Sequence, residues 1–492
     1  MKGMTMPLKT LFLNPPSFEN FDGGASSRWP ATREIESYWY PVWLTYPAGL
    51  LEGSRVLDAS PHHVTAAETI EICKSYEFLV LFTSTMGWDG DQRLAEAIKK
   101  ANPSIRITFV GPPVTTDTEK ALNECSALDF ICRREFDYSV VEYAQGKPLN
   151  EILGISYKKP SGEIVHNPDR PQIEDLDAMP WATKIYKRDL DVTRYNVPFL
   201  MHPFIALYSS RGCPAQCTFC LWPQTLSGHR WRTRSTDDVA AELAWAKENF
   251  PEVKEFFFDD DTFNIQGPRT IELCEKIKPL GITWSCTSRV TTDRKTLQAM
   301  KDAGCRLLIV GFESGDPQIL KNVKKGATVE RARAFAKDCH DIGLCIHADF
   351  ILGLPGETKE SIRNTINFAK KLDCETIQVS IAHAYPGTEF FDYAKQNGFI
   401  LNSTAIMDEG GHQMAHIEYP GLPVDYVLEM VHRFYDEYYF RPKAAFRVVW
   451  KAFVNRDLPR LYVEAKSFLK LRAQRNKMVK AARSKPAATA SA

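Results

Sequence analysis

The 492-residue chain predicts an α/β protein with two sheet-bearing parts: an N-terminal Rossmann-like domain, then a partial (β/α)6 barrel with a helical C-terminal region. Three observations carry that prediction. Short apolar runs alternate with helical patterns over residues 9–140, as in a parallel, doubly wound sheet. A second series of six strand-and-helix units fills residues 203–390. Beyond residue 400 the pattern is mostly helical and ends in an Ala-rich, Pro-containing stretch. The expected boundaries are 1–148 for the Rossmann-like domain, 149–200 for a hairpin and linker, 201–395 for the barrel, 396–480 for the helical region and 481–492 for a disordered tail.

In the first domain, Leu11–Leu13, Arg55–Leu57, Tyr76–Phe82 and Ile105–Val110 read as strands. Asp91–Lys100 reads as a helix, with Leu94, Ala97 and Ile98 on one face. Ligands of such sheets sit beyond the carboxyl ends of the strands. Ile152–Tyr157 and Glu163–His166 flank Pro160-Ser161-Gly162 as a hairpin, and Pro168, Pro171 and Pro180 then interrupt any helix. Barrel strands are expected at Phe204–Tyr208, Glu255–Phe258, Thr283–Ser285, Leu307–Val310, His347–Leu352 and Thr376–Ile381. No G-x-G-x-x-G follows the first strand, which argues against a dinucleotide site.

Formal net charge is zero, but it is unevenly spread. Residues 441–492 carry 14 Lys+Arg against two Asp+Glu, so the rest of the chain is acidic. Nine of the 12 cysteines have no paired spacing, which argues against a disulfide framework and for a reducing, cytoplasmic setting. No apolar run reaches the length of a membrane span. In the basic region, Phe446, Val449, Trp450 and Phe453 can share a helix face, and Leu461, Phe468, Leu469 and Leu471 extend it. Lys466, Lys470, Arg472, Arg475, Lys477 and Lys480 supply charge. This suits a peripheral contact at the inner face of an anionic membrane; a packed helix with a solvated basic end fits equally. No motif supports nucleic-acid binding.

The central feature is Arg211-Gly-Cys-Pro-Ala-Gln-Cys-Thr-Phe-Cys220, just after the first barrel strand. Zinc favours four ligands, usually as two separated pairs. Three thiolates on one short loop instead suit a [4Fe–4S] cluster that keeps one iron open to a small chelating molecule. This C-x3-C-x2-C run, with Phe219 before the last cysteine, resembles the signature of the radical S-adenosylmethionine (SAM) superfamily. The resemblance covers roughly residues 200–390. It implies that Cys213, Cys217 and Cys220 hold a [4Fe–4S] cluster whose electron splits SAM into methionine and a 5′-deoxyadenosyl radical.

The resemblance assigns further residues. Phe258-Asp-Asp-Asp-Thr-Phe263 stands where the superfamily commonly has Gly-Gly-Glu, so Asp260 or Asp261 would accept from the SAM ammonium. Ser288 and Arg289, after the third strand, would reach the SAM ribose and carboxylate. Glu313, in Gly311-Phe-Glu-Ser-Gly315 after the fourth, would contact ribose or substrate. Gly353 and Gly356, after the fifth, would let backbone approach the adenine. His383, after the sixth, is an acid/base candidate or a structural histidine.

His383-Ala-Tyr-Pro-Gly-Thr388 is similar to the subgroup that carries an N-terminal cobalamin-binding domain. That implies a corrin site at Thr83, Ser84, Gly111, Pro112 and Thr115. The usual D-x-H-x-x-G cobalt-ligating motif is missing, because His62 and His63 lack its spacing after Asp58 and its glycine. Leu13-Asn-Pro-Pro-Ser-Phe-Glu-Asn-Phe-Asp22, Trp39-Tyr-Pro-Val-Trp-Leu-Thr-Tyr-Pro47 and Cys220-Leu-Trp-Pro-Gln-Thr225 resemble the hopanoid-biosynthesis-associated radical SAM family. That resemblance implies a hopanoid lipid substrate, the glucosamine headgroup of bacteriohopanetetrol contracted to a cyclitol ether, and an electron donor such as flavodoxin or ferredoxin. The alternative is a cobalamin-dependent methyltransferase of a lipid or sugar.

Overall fold

A computed structural model describes residues 6–16, 37–401, 415–444, 446–447, 466 and 472–473. The N-terminal strands are β1 (Thr10–Asn14), β2 (Arg55–Asp58), β3 (Phe78–Phe82), β4 (Arg106–Val110), β5 (Phe130–Cys132), β6 (Ile155–Lys158) and β7 (Ile164–His166). They form one sheet in the order β2-β1-β3-β4-β5-β6-β7, parallel through β5 and antiparallel beyond it. The expected hairpin therefore does not stand apart as a connector; it extends this sheet. β3 reads Phe-Leu-Val-Leu-Phe without alternation because both its faces are covered. The helix expected over Asp91–Lys100 spans Trp88–Ala101. Residues 182–189 are helical, starting two residues after Pro180, and Tyr186 and Tyr195 are fully buried.

The second part contains β8 (Phe204–Leu207), β9 (Ser210–Arg211), β10 (Arg232–Thr233), β11 (Glu255–Phe258), β12 (Trp284–Ser288), β13 (Cys305–Glu313), β14 (Cys345–Leu352) and β15 (Thr376–Ile381). Six of these make a parallel sheet in the order β15-β14-β13-β12-β11-β8, an open barrel whose first and last strands do not pair. Helices 236–249, 294–302, 329–342 and 359–372 start on Ser235, Asp293, Thr328 and Thr358, whose side chains accept from backbone N–H groups of the first turn. β9 and β10 form a two-residue antiparallel clamp at the barrel mouth.

β13 runs three residues past its expected end, to Glu313, with a register shift between Gly311 and Glu313. Gly311 and Glu313 thus belong to the strand, and Ser288 is the last residue of β12 rather than a loop residue. Glycines beside an acid look like a turn in sequence; here they mark a bulge.

The edge strand β15 is covered by the helix Val424–Tyr439. The hydroxyls of Tyr435 and Tyr439 accept from the backbone N–H groups of Val379 and Ile377 at 2.8 and 3.0 Å, donors that an edge would otherwise leave open. Arg441, Lys443 and Arg447 of the C-terminal region pair with Asp373 at the end of a barrel helix, Arg447 also donates to the carbonyls of Asp373 and Cys374, and Arg472 pairs with Asp436 of the covering helix. Val449, Trp450, Phe453, Leu461, Phe468, Leu469, Leu471, Lys470, Arg475, Lys477 and Lys480 lie outside the described residues, as does the expected tail 481–492. Among the described residues no helix is long and apolar enough to cross a membrane.

One apolar core runs through both parts, from Phe12 and Phe78 to Phe257 and Phe350. A second core fills the outer face of the N-terminal sheet. Polar links join the parts as well: Tyr195 donates to Asp58 at 2.7 Å and Tyr40 to the carbonyl of Phe204 at 2.7 Å, and the Tyr40 and Tyr195 rings stack with centroids 3.9 Å apart.

Candidate functional site

The loop between β9 and β10 carries all three motif cysteines. Gly212 opens it at φ +88°, where an added Cβ would lie 2.2 Å from the carbonyl oxygen of Arg230, so the chain crosses itself there only without a side chain. Several hydrogen bonds pin the loop. Thr218 N–H donates to Val323 O at 3.1 Å, Phe390 N–H to Thr218 O at 3.0 Å, and Gln224 Nε2 to Cys220 O at 2.7 Å. Cys213 and Cys217 are buried and Cys220 is half-buried. Burial pushes the Cys220 thiol up, and Cys217, Asp261 and Cys213 add to it, so the thiols share one neighbourhood. Among the described residues no three His, Cys, Asp or Glu side chains converge on a single metal ion. A cubane asks for no such convergence, because its thiolates bind separate irons. Thr218 Oγ1, between two of the cysteines, is buried without a hydrogen-bond partner, as expected of a group facing a cofactor. Phe219 packs its ring against the core.

The two candidate acids differ. Asp260 is fully buried and accepts from Ser209 N–H (3.1 Å), Ser209 Oγ (2.8 Å) and Ser210 Oγ. Burial raises its carboxyl while those donors oppose the rise. Asp260 thus ties the strand ends together beneath the cysteine loop. Asp261 accepts from Gly212 N–H at 3.1 Å and sits beside Cys220.

Ser288 accepts from Asn264 Nδ2 at 2.8 Å. Arg289 donates to Lys325 O. Glu313 holds φ +64° and pairs with Lys325 at 2.6 Å, both side chains being nearly buried. Burial works against the Lys325 charge, but Glu313 and then Cys217 outweigh it and hold the ammonium above its ordinary value. Lys325 carries no motif signal; its chain position, 12 residues past its partner, hides it.

Gly353 and Gly356 take φ +91° and +81°. Their loop is pinned by Glu357, which accepts from Gly353 N–H and from Leu354 N–H at 3.1 Å, and burial pushes its carboxyl up to about 8. His383 lies with its ring centroid 3.5 Å from that of His416 and 4.4 Å from that of Tyr385. Burial, then His416, push it down to about 2, so the ring is neutral, with one N–H donor and one acceptor nitrogen, near neutral pH. His416 reaches it from a distant segment that no local pattern connects to it.

In the N-terminal domain the carboxyl ends of β1, β3 and β4 converge. Thr83 Oγ1 donates to the buried Asp91 at 2.7 Å, and Ser84 Oγ accepts from Gly87 N–H at 3.1 Å. Thr115 donates to Gly111 O at 3.1 Å and accepts from Arg134 N–H at 3.1 Å. Gly111, at φ +124°, lies so close to Thr83 O that a Cβ would stand 2.2 Å from it; Pro112 follows as the buried start of a short helix. His62 accepts from Asp191 N–H at 2.9 Å and bonds Asp58 O at 2.8 Å, so both ring nitrogens are engaged within the fold. This end offers backbone, small groups and shape, which suits a flat macrocycle.

The two carboxyl ends meet at one cavity of about 40 Å³, lined by Asn14, Phe82, Trp43, Tyr208, Trp222 and Asp259 among others. Trp222 stacks on Trp43, with centroids 5.9 Å apart. Arg211, one residue before the loop glycine, lies over Trp43 and Tyr46 and makes two 3.0 Å bonds to Asp137 of the N-terminal domain. Arg232, at the loop's other end, pairs with Glu135. Arg211 opens the cysteine motif, but its partner Asp137 and the Arg232–Glu135 pair have no sequence motif.

Residues 207–369 match the radical SAM superfamily and residues 28–144 match the B12 binding domain. An uncharacterized methyltransferase of Pyrococcus horikoshii is 30% identical over 84% of this chain and 90% of its own length. An anaerobic magnesium-protoporphyrin IX monomethyl ester cyclase of Rubrivivax gelatinosus is 26% identical over 78% of this chain and 69% of its own. Among solved structures, the radical SAM methyltransferase TsrM of Kitasatospora setae, with cobalamin and a [4Fe–4S] cluster bound, superposes with a TM-score of 0.67 at 15% identity, covering 89% of this chain and 90% of that one. The cobalamin-dependent radical SAM enzyme OxsB superposes with a TM-score of 0.67 at 16% identity, covering 94% and 71%.

Proposed function

Because this chain belongs to the radical SAM superfamily, among the members with a B12-binding domain, we propose that it transfers a methyl group to a carbon of a substrate held between its two sheets. Its cofactors are a [4Fe–4S] cluster, SAM and cobalamin. The observation that carries the reading is that strand ends of both parts, Asn14 and Phe82 on one side and Tyr208 and Asp259 on the other, face one place together with Trp222 of the cysteine loop. When bound, the cluster supplies the electron that splits SAM, and cobalamin supplies a methyl carrier.

The residues divide the remaining work. Cys213, Cys217 and Cys220 hold three irons. Asp261 rather than Asp260 accepts from the SAM ammonium, because Asp260 already serves three donors. Lys325 would hold the SAM carboxylate, and Glu313 the ribose. The loop of Gly353 and Gly356 would take the adenine, and Ser288 and Arg289 would brace the site through Asn264 and the turn at Lys325. Ser84, Gly111, Pro112 and Thr115 shape the corrin seat; Thr83 stabilises it through Asp91. His383, neutral and paired with His416, orients substrate by hydrogen bonding.

A second reading is radical contraction of the glucosamine headgroup of bacteriohopanetetrol to a cyclitol ether. One observation favours it: the three sequence runs similar to the hopanoid-associated family supply Asn14, Trp39–Leu44 and Trp222 to the cavity. In that reading the basic C-terminal region supplies a peripheral membrane contact, tested by salt-sensitive binding to anionic liposomes of the full chain and of a chain ending at residue 453.

The deciding experiment is anaerobic reconstitution with iron, sulfide and hydroxocobalamin, then mass analysis after incubation with SAM, a reductant and a glucosaminyl hopanoid. S-adenosylhomocysteine with a lipid heavier by one methylene supports methyl transfer. 5′-Deoxyadenosine with a ring-contracted lipid and no added methyl moves the assignment to the second reading.

A further inference from the structure

Splitting SAM requires an electron from outside the chain, and the fold contains a surface suited to receive it. Beside the cysteine loop lies an open groove of about 830 Å³, lined by Thr291, Pro317, Leu320, Lys321, Lys324, Gly326, Ala327, Thr328 and Arg331. Its lining holds three cations and no carboxylate, whereas the chain before residue 441 is acidic overall. Lys321, Lys324 and Arg331 are exposed. Glu389 at the rim pairs with Lys324 at 2.6 Å, and Asp316 is spent capping the helix Pro317–Asn322. Arg331 is anchored on the carbonyls of Val290 and Thr291, so its charge stays at the groove wall.

The groove is wired to the cysteine loop through the backbone. Val323, next to Lys324, is fully buried, and its carbonyl accepts from Thr218 N–H, one residue from Cys217. Arg289 braces the same turn through Lys325 O. One short segment, 321–325, therefore presents cations to solvent at one end and touches the cysteine loop at the other.

We propose that this groove is the docking surface for a small acidic one-electron carrier protein. Clustered charge of one sign attracts an oppositely charged partner and orients it before contact. One electron leaves the carrier's reduced centre and enters the oxidised cluster; no bond forms or breaks. The proposal rests on the radical SAM assignment and holds for either product considered above.

The test uses the reconstituted full chain, with a flavodoxin and its NADPH-dependent reductase as carrier and dithionite as the small chemical reductant. Two readouts are taken: binding of fluorescently labelled flavodoxin, and the rate at which the cluster's visible absorbance bleaches. For Lys321→Glu/Lys324→Glu, flavodoxin binding is expected to weaken at least tenfold and flavodoxin-driven bleaching to slow likewise, with dithionite-driven bleaching unchanged. Lys321→Ala, which keeps the Lys324–Glu389 pair, is expected to give a smaller loss in the same direction. Lys337→Glu, on the exposed face of the neighbouring helix, is expected to match the unaltered protein. Unchanged flavodoxin binding in the double variant would overturn the proposal. So would an equal loss with Lys337→Glu, or an equal slowing with dithionite, which would place the effect in the cysteine loop instead of in docking.

Discussion

Two carboxyl ends face one cavity, and they are built from different chemistry. In the barrel three acids are each held by their own donors: Asp260 by two serines, Glu313 by the Lys325 ammonium, and Glu357 by backbone N–H groups. In the N-terminal sheet the hydroxyls of Thr83 and Thr115 are spent inside their own domain, on Asp91 and Gly111. The barrel end is thus preorganised for a small ligand with fixed charges, whose ammonium and carboxylate each need a partner. The sheet end is preorganised as a surface, which a large planar ligand reads through contact area. The two are locked together at Arg211 and Arg232, whose counter-ions come from the other side.

The largest expected effect lies at the barrel end. Cys213→Ala, Cys217→Ala and Cys220→Ala should each abolish 5′-deoxyadenosine formation and the cluster's visible absorbance; cleavage retained in all three would remove the cluster from this loop. Next comes the lock. Asp137→Ala leaves the buried Arg211 without its bidentate partner and should cost about 3–5 kcal/mol in chemical denaturation. A loss below ~1 kcal/mol would mean that Glu135, 4.0 Å away, takes over the pairing.

The contrast itself is sharpened by a matched pair. Lys325→Met should weaken SAM binding by about 1.5–3 kcal/mol, roughly 10–100-fold in Kd by isothermal titration. Thr83→Val should cost about 1–3 kcal/mol of stability, by leaving Asp91 short of its donor, without changing cobalamin retained per chain. Cobalamin lost at unchanged stability would instead make Thr83 a ligand contact and erase the contrast.

A pH dependence tests the barrel end by another route. Glu357 titrates at about 8 when folded, against an ordinary 4.5. Between those values the folded chain keeps a proton that the unfolded chain has lost, so its stability falls as pH rises and levels off above about 8. Glu357→Gln should flatten that part of the stability profile. An unaltered slope would show that another group carries it.

Most strand positions were legible because buried parallel strands are continuous apolar runs; β11 and β15 match their expected bounds, the other expected strands differ by one to three residues, and the short β5, β9 and β10 had no expected counterpart. Two kinds of information were not legible. One is bulge geometry: Gly311 and Glu313 read as a loop, because a strand that shifts register looks like a turn in sequence. The other is long-range pairing. Of three consecutive acids, only the fold tells that Asp260 faces Ser209 and Ser210. Lys325 and His416 reach the site from segments without any motif, and Glu135 and Asp137 act across the domain boundary. The cysteine loop stood out because its ligands are local.

The Arg211 and Arg232 pairings have a consequence for engineering. Two guanidiniums at the ends of the cysteine loop have their counter-ions on the other domain, both ends buried. The barrel is therefore not a portable module. A chimera joining it to a relative's sheet domain must bring carboxylates equivalent to Glu135 and Asp137, or it would trap two uncompensated charges beside the cysteines, and such fusions would lose iron before they lost secondary structure.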